Sequence, residues 1–81
     1  MAKAKFSPAY NRLRTLLIAA REDAGLRQID VARKLRRNQS FVSKVESGER
    51  RLDVVEFLEF AKASSADPLK IIRAIAKIND S

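Results

Sequence analysis

Apolar residues recur at helical spacing along most of the chain, and the polar residues between them divide it into segments. In the first segment the repeat comprises Leu13, Leu17, Ala20 and Ala24. Ser7 can cap a helix here, and Pro8 suits its first position because the N–H that proline lacks has no partner there. Gly25 can adopt the left-handed conformation that ends a helix. The pattern therefore predicts a first helix between Ser7 and Gly25.

The next two segments are shorter and closely spaced. Their pattern predicts a second helix from about Gln28 to Leu35 and, after Arg36-Arg37-Asn38, a third from Gln39 to Ser47. Asn38 can cap the third helix and Gly48 can close it. The predicted inward positions are Val31, Ala32, Leu35, Phe41, Val42 and Val45.

The last two helices also carry start signals. Asp53 and Glu56 form the sequence of a capping box, and Asp67-Pro68 opens a fifth helix that continues to about Ile78. The apolar stripe predicted for the fourth helix consists of Val54, Phe57, Leu58 and Ala61. No stretch alternates with period two over a useful length, and no Asn-Gly or Asp-Gly hairpin turn occurs. The sequence therefore predicts an all-α fold of five short helices.

The length fits a single domain. Eighty-one residues leave room for one hydrophobic core, so we expect one domain over residues 1–81. Within it we expect a flexible N-terminal arm at residues 1–6, a binding core at residues 7–63 and a C-terminal helix at residues 67–78 that is available for dimerisation.

Composition excludes several kinds of chemistry. The chain has no cysteine and no histidine, so it lacks disulfides, thiolate and imidazole metal ligands, and the commonest general base. We therefore expect no catalytic residues, no metal site, no cofactor and no enzyme activity. The longest apolar run, Leu16–Ala20, is too short to cross a bilayer, and no apolar signal segment follows the charged start. The expected location is the cytoplasm, with no membrane partner.

Positive charge is concentrated in the first part of the chain. Residues 1–51 carry a net charge of +8 and residues 52–81 a net charge of −1. This division favours nucleic acid as the partner of the first part, and packing or assembly for the second. The alternative is that the surplus lysine and arginine only keep a small protein soluble.

The segment around the Arg36-Arg37-Asn38 corner has the features of a helix-turn-helix, with a small residue, Ala32, where the two helices cross and polar side chains at the start of the second. It resembles the helix-turn-helix of the Cro and cI phage repressors, the Xre-like family, and the resemblance extends from about Leu13 to Ile72. The resemblance rests on Gly25-Leu26, Gln28, Val31-Ala32, Leu35, Gln39-Ser40, Val42-Ser43-Lys44-Val45-Glu46 and Gly48-Glu49-Arg50. It implies a five-helix lambda-repressor-like domain that binds double-stranded DNA.

The resemblance also implies a role for each matching position. Gln28 looks like the glutamine that opens the first motif helix, binds a phosphate and braces the recognition helix. The implied base-reading residues are Gln39, Ser40, Ser43 and Lys44. Arg21 and Glu46 match a buried ion pair between the first and third helices. A glutamine suits base reading because its amide pairs with adenine through two hydrogen bonds, which contribute about 1–3 kcal/mol of discrimination.

Cations and helix-end polar groups around the recognition helix predict contacts with phosphates, which position a protein without reading sequence. Besides Gln28, the predicted phosphate contacts are Arg27, Arg37, Asn38, Ser47, Arg50 and Arg51. Lys44 can bind guanine or a phosphate, and Arg36 and Arg37 can instead be solvated turn residues.

Four residues, at three places in the chain, depart from the family pattern. Arg27 stands where the family has a Ser or Thr N-cap, so a cap is lost and a cation meets the positive end of a helix. Arg36 stands where the turn often has glycine. Ser64-Ser65 replaces the apolar residue and glycine that commonly end the fourth helix.

The fifth helix carries more apolar residues than one face needs. We expect Leu69 and Ile72 to cover the core, and Ile71, Ile75 and Ile78 to form an exposed patch that a second copy covers in a homodimer. The alternative is a monomer whose end helix wraps its own core.

The sequence therefore predicts a transcriptional regulator, with repression favoured, of the kind found as phage repressors or as controllers of restriction–modification systems. A second hypothesis is an antitoxin-type protein that binds a toxin and regulates its own operon. The protein partner would then be a toxin, and for a repressor it would be an antirepressor. A third is non-specific packaging of nucleic acid, which predicts indifference to DNA sequence.

Overall fold

Five α-helices make up the computed structural model, which describes residues 7–79. They are α1 (Pro8–Asp23), α2 (Gln28–Leu35), α3 (Gln39–Ser47), α4 (Val54–Ala63) and α5 (Pro68–Asn79). The predicted all-α, five-helix fold is confirmed, and the helix bounds agree with the pattern to within a residue or two. The predicted arm at residues 1–6 lies outside the described residues.

Side-chain caps fix four of the five helix starts, including that of α5, where Asp67 Oδ1 accepts a hydrogen bond from the Leu69 N–H at 3.0 Å. The Ser7 hydroxyl accepts a hydrogen bond from the Tyr10 N–H at 3.2 Å, and the Asn38 amide oxygen accepts one from the Phe41 N–H at 3.2 Å. In the capping box, Asp53 accepts from the Glu56 N–H at 2.7 Å while Glu56 accepts from the Asp53 N–H at 3.0 Å. These bonds satisfy N–H groups that have no partner inside a helix.

The left-handed positions after the helices are occupied by two glycines and two other residues. Gly25 (φ +74°) and Gly48 (φ +90°) follow α1 and α3, as predicted. Arg36 (φ +57°) follows α2 and Ser65 (φ +62°) follows α4, each at a position where a Cβ is unfavourable. The preceding residue, Ser64, is fully buried, and its hydroxyl finds no hydrogen-bond partner among residues 7–79. The end of α4 therefore carries both strain and an unsatisfied polar group.

The core lies where the two motif helices meet α1 and α4. Its fully or almost fully buried apolar side chains are Leu17, Val31, Ala32, Val42, Val45, Phe57, Phe60, Ala61, Ala63 and Ile71. Ala32 is completely buried, which fits its predicted place where the motif helices cross. This core fixes the outer face of α3 relative to the rest of the domain.

The predicted stripe of α4 was wrong at two of its four positions. Val54 and Leu58 are 74% and 43% exposed, whereas Phe60 is completely buried. The buried face runs through Phe57, Phe60 and Ala61, because α4 is rotated to place the large Phe60 ring against Phe41, at a centroid distance of 6.3 Å. Ala24, the last member of the predicted helical repeat, is exposed, because α1 ends at Asp23.

The assignment of faces on α5 was inverted. Ile71 is 5% exposed and belongs to the core, while Leu69 and Ile72 are 59% and 41% exposed. Ile75 and Ile78 are half-buried on the same helical face as Ile71, since the three are spaced by four and three residues. Because α5 packs chiefly along α1, that face is directed inward. The exposed patch proposed from Ile71, Ile75 and Ile78 is therefore corrected to a surface that contains Leu69 and Ile72.

Candidate nucleic-acid interface

The outer side of α3 is a continuous polar surface. Val42, Val45 and Glu46 point inward and are buried. The exposed side chains, called here the reading face, are Gln39, Ser40, Ser43, Lys44 and Ser47. The four predicted base-reading residues are therefore all exposed on one side of one helix. The reading face has no carboxylate and one cation, which suits an approach to an anionic groove.

The start of α3 is held by an interlocked pair of side chains. Asn38 accepts at Oδ1 from the Phe41 N–H and also from the Ser40 hydroxyl, at 2.7 Å. The Asn38 amide nitrogen and the oxygen lone pairs of Ser40 point to no described partner. Both residues keep groups that can bind a base or a phosphate, while the bond between them restricts their rotamers.

The carboxylate of Glu46 forms a buried ion pair with Arg21. The Arg21 Nε lies 2.7 Å from Glu46 Oε2 and Nη2 lies 3.1 Å from Oε1, a two-point contact between α1 and α3. The side chains are 12% and 5% exposed. Arg21 also donates from Nη1 to the Leu26 carbonyl at 2.9 Å, which ties the loop before α2 to the same site. Such a pair fixes the orientation of α3 relative to α1 even where its net contribution to the free energy of unfolding is small.

A chain of amide hydrogen bonds leads from this ion pair to the reading face. Gln28 donates from Nε2 to Glu46 Oε1 at 2.9 Å, and Gln39 donates from Nε2 to Gln28 Oε1 at 3.4 Å. The second bond is long, so it guides the Gln39 side chain without locking it. Gln39 keeps its amide oxygen and one N–H, which is the donor–acceptor pair that adenine requires.

Arg14 provides a second link between α1 and α3 that sequence reasoning missed. It donates from Nη1 to the Glu46 main-chain carbonyl at 2.7 Å and from Nη2 to Asn11 Oδ1 at 2.7 Å. The carbonyl is near the C-terminus of α3, where a cation is favourable. The only sequence signal was the seven-residue spacing from Arg14 to Arg21, which places both arginines on one side of α1.

The missing N-cap of α2 is compensated by Asp30. Arginine has no acceptor, so Arg27 cannot cap the helix, but Asp30 Oδ2 accepts from the Arg27 N–H at 2.7 Å. The Asp30 carboxylate also lies 3.1 Å from Arg27 Nη2. Hydrogen bonding with Arg27 lowers the pKa of Asp30, and the same contact raises the pKa of Arg27. The predicted phosphate contact Arg27 is thus exposed but already paired with an acid.

Arg50 is engaged more fully than Arg27. Its Nη1 and Nη2 donate to the two oxygens of Glu56 at 3.0 and 2.8 Å, and Nη1 also donates to the Arg51 carbonyl. Hydrogen bonding from Arg50, with help from the Asp53 N–H, lowers the pKa of Glu56 to about 2. The structure therefore places Arg50, a predicted phosphate contact, in an intramolecular ion pair.

Two other predicted phosphate contacts lie against aromatic rings. The Arg37 guanidinium carbon is 3.9 Å from the centroid of Phe41, and that of Arg51 is 4.4 Å from the centroid of Tyr10. Both side chains are exposed. Ser47, the last of the set, donates to the Lys44 carbonyl and lies within hydrogen-bond distance of Glu49, each at 3.1 Å. An acid therefore stands beside the end of the reading face.

Other kinds of site find no support in the part of the chain that is described. Between residues 7 and 79 no group of three or more acidic, histidine or cysteine side chains could hold a metal ion. No helix in this range is long and apolar enough to cross a lipid bilayer.

The geometry agrees with the comparisons with known proteins. Residues 12–70 match the profile of a family described as a helix-turn-helix domain. The chain is similar to the solved structure of an Xre-family-like protein from Pseudomonas syringae pv. tomato strain DC3000, with 41% identity and a TM-score of 0.84. The match covers 94% of this chain and 93% of that chain. No curated protein sequence matches the chain significantly.

Proposed function

The chain belongs to the Xre-like helix-turn-helix family of DNA-binding transcription regulators, and on that premise we propose that it is a repressor that reads a specific duplex sequence. The observation that carries the proposal is the reading face, which presents polar side chains from one side of α3 while the opposite side is buried. A helix of this width enters the major groove, where each base pair has a distinct pattern of donors and acceptors. Repression follows when the bound site overlaps a promoter.

We assign the base-reading role to Gln39, Ser40, Ser43 and Lys44. Gln39 has the most specific chemistry, since its free amide oxygen and N–H match the N6 and N7 edge of adenine. Gln28 positions Gln39 through the amide contact at 3.4 Å. Its remaining N–H is available for a phosphate, so Gln28 serves both as brace and as backbone contact.

The decisive experiment is selection of bound sequences from random duplex DNA, followed by affinity measurements on the selected site. Gln39→Ala is expected to weaken binding to that site by about 5- to 150-fold, which corresponds to the 1–3 kcal/mol of a bidentate base contact. Binding to random duplex is expected to change little. Arg33→Met, which removes an exposed cation from the outer face of α2, is the matched control and should leave the ratio of specific to random affinity unchanged. An unchanged ratio for Gln39→Ala would refute the base-reading assignment.

We further propose that the repressor binds as a homodimer through α4 and α5. Among the described residues, the large apolar side chains that are well exposed all belong to these two helices: Val54, Val55, Leu58, Leu69 and Ile72. Leu69 and Ile72 lie on α5, which packs chiefly along α1, so a second copy can dock there without covering the reading face. Sedimentation at micromolar concentration should give a dimer for the wild type and a monomer for the double variant Leu69→Lys/Ile72→Lys. The selected DNA site should contain two inverted half-sites about one helical turn apart.

The same exposed apolar side chains favour a second candidate function, an antitoxin that sequesters a toxin and regulates its operon. Exposed apolar side chains on α4 and α5 would then contact the toxin instead of a second copy. A wild-type monomer at micromolar concentration, together with a selected DNA site that lacks inverted repeats, would favour this candidate over the homodimeric repressor.

A further inference from the structure

Four side chains from four consecutive elements meet beside the reading face. The ring of Phe41, on α3, has the Arg37 guanidinium carbon 3.9 Å from its centroid and that of Arg50 at 5.1 Å. Glu56, on α4, holds Arg50 by two hydrogen bonds. We call Arg37, Phe41, Arg50 and Glu56 the arginine cluster. It connects the α2–α3 corner, the recognition helix, the loop after it and the start of α4.

The two arginines of the cluster differ in electrostatic state. Both terminal nitrogens of Arg50 face the Glu56 carboxylate at 2.8–3.0 Å, so its charge is compensated and its planar fork is occupied. Glu56 is itself fixed by the Asp53 N–H at 3.0 Å. A phosphate would therefore compete at Arg50 with a two-point ion pair to a carboxylate that is also part of the capping box of α4.

Arg37 has the opposite arrangement. The salt bridges among residues 7–79 do not include Arg37, and its side chain is exposed, although its charge lies close enough to Glu56 to help lower the pKa of that carboxyl. A guanidinium that stacks on a ring keeps its N–H donors in its own plane, directed away from the ring and available. The stack also restricts a long side chain in advance, so less rotamer entropy is lost when it binds.

We propose that Arg37 is the phosphate-binding arginine of this corner, that Phe41 is its platform, and that Arg50, held by Glu56, is a positioning residue and not a phosphate contact. The inference rests on the proposed DNA-binding function and refines it. Arg50 acts by fixing the loop that links α3 to α4, through its bonds to the Arg51 carbonyl and to Glu56. The residue that contacts the DNA phosphate, Arg37, and the residue that positions the neighbouring loop, Arg50, are therefore different.

The salt dependence of DNA binding separates these two roles. Each phosphate contact that a protein loses reduces the slope of log K against log salt by about 0.9. On a duplex carrying the selected site, Arg37→Met should reduce the slope by about that amount per bound protomer. Because Arg50 and Glu56 compensate each other's charge, Arg50→Met/Glu56→Gln removes them as a unit and should leave the slope unchanged while lowering affinity at every salt concentration. Lys62→Met, at the far end of α4, is the control for loss of one exposed charge and should change neither.

Two further variants test Glu56, which holds Arg50, and Phe41, on which Arg37 stacks. Glu56→Gln should steepen the slope, because it releases the charge of Arg50, and Arg50→Met in the same chain should restore the wild-type slope. Phe41→Leu keeps an apolar contact with Phe60 but removes the ring, so affinity should fall about two- to fivefold with the slope unchanged, as expected for the loss of one exposed cation–π contact. Thermal melting of each variant reports whether it is folded.

The outcomes distinguish this inference from the proposed function. If Arg50→Met/Glu56→Gln reduces the slope as much as Arg37→Met does, or if Arg37→Met leaves it unchanged, the inference is wrong while sequence-specific binding stands. If the wild type binds selected and random duplexes equally well, sequence reading fails. The slopes on random duplex then still decide which arginine contacts phosphate.

Discussion

Removing Arg21 should destabilise the domain severely. The Glu46 carboxylate, 5% exposed, accepts two hydrogen bonds from Arg21 and one from Gln28. In Arg21→Met it would keep only the Gln28 amide and remain buried without a counter-charge, and breaking a buried ion pair in this way costs about 3–5 kcal/mol. A domain of this length has about 4–12 kcal/mol of total stability, at roughly 0.05–0.15 kcal/mol per residue. The variant should therefore lose a large fraction of its stability.

The double variant Arg21→Met/Glu46→Met provides the control. It removes both charges and replaces them with side chains that pack in an apolar environment, so its stability should lie well above that of Arg21→Met and within about 2 kcal/mol of the wild type. Urea unfolding followed by far-ultraviolet circular dichroism of the wild type, Arg21→Met, Glu46→Met and the double variant gives the four free energies of the cycle. The interaction between the two sites should appear as strong non-additivity, because they share one contact.

Two results would refute this reasoning. A loss below about 1 kcal/mol in Arg21→Met would mean that water or movement of α3 solvates Glu46. Additive effects of the single substitutions would mean that the pair makes no specific interaction. If the double variant is stable but has lost specific DNA binding, the ion pair orients the reading face, which is the role that the link through Gln28 indicates.

Three other predictions concern the ends of α2 and α4. Ser64→Ala should raise stability by about 1 kcal/mol, because it removes a buried hydroxyl that has no described partner, and a rise of about 4–8 °C in melting temperature would show it. Ser65→Gly and Arg36→Gly should each raise stability by up to about 1 kcal/mol in urea unfolding, because glycine accepts the positive φ at lower cost. Since the folded-state pKa of Glu56 is about 2 against an ordinary value of 4.5, its stabilising contribution is complete above pH 4.5 and is lost as the pH falls toward 2. Glu56→Gln should flatten this part of the stability profile measured by pH titration, and an unchanged profile would contradict the assignment.

Local signals were sufficient to predict where the helices begin and end. Ser7, Asn38 and Asp53 each cap a helix, and Gly25 and Gly48 adopt positive φ after one. These effects depend on residues three or four apart in sequence, which is why they can be recognised without a fold. The outward side of α3 could be predicted equally well, because the apolar positions of this helix lie on one side and leave the other side polar.

The buried face of α4 could not be predicted in the same way, because that helix is apolar on more than one side. On α5 a signal was present but was assigned to the wrong side: Ile71, Ile75 and Ile78 have the spacing of one buried face. The structure packs α5 along α1 with Ile71 buried. The Arg50–Glu56 pair was missed for a related reason. The sequence shows an arginine beside a recognition helix, but not that a capping-box glutamate six residues later lies within 3 Å of it.

The buried and the exposed side chains of α3 are two separate sets. The residues that hold the fold together are therefore different from those that face the DNA. Val42, Val45 and Glu46 make the contacts that hold the helix on the body, while the five side chains of the reading face contribute little to the core. Those five positions can therefore be exchanged with little effect on the scaffold. A small set of substitutions could redirect the same domain to a different operator, which makes it a scaffold for engineering new DNA targets and allows duplicated copies to diverge in their targets.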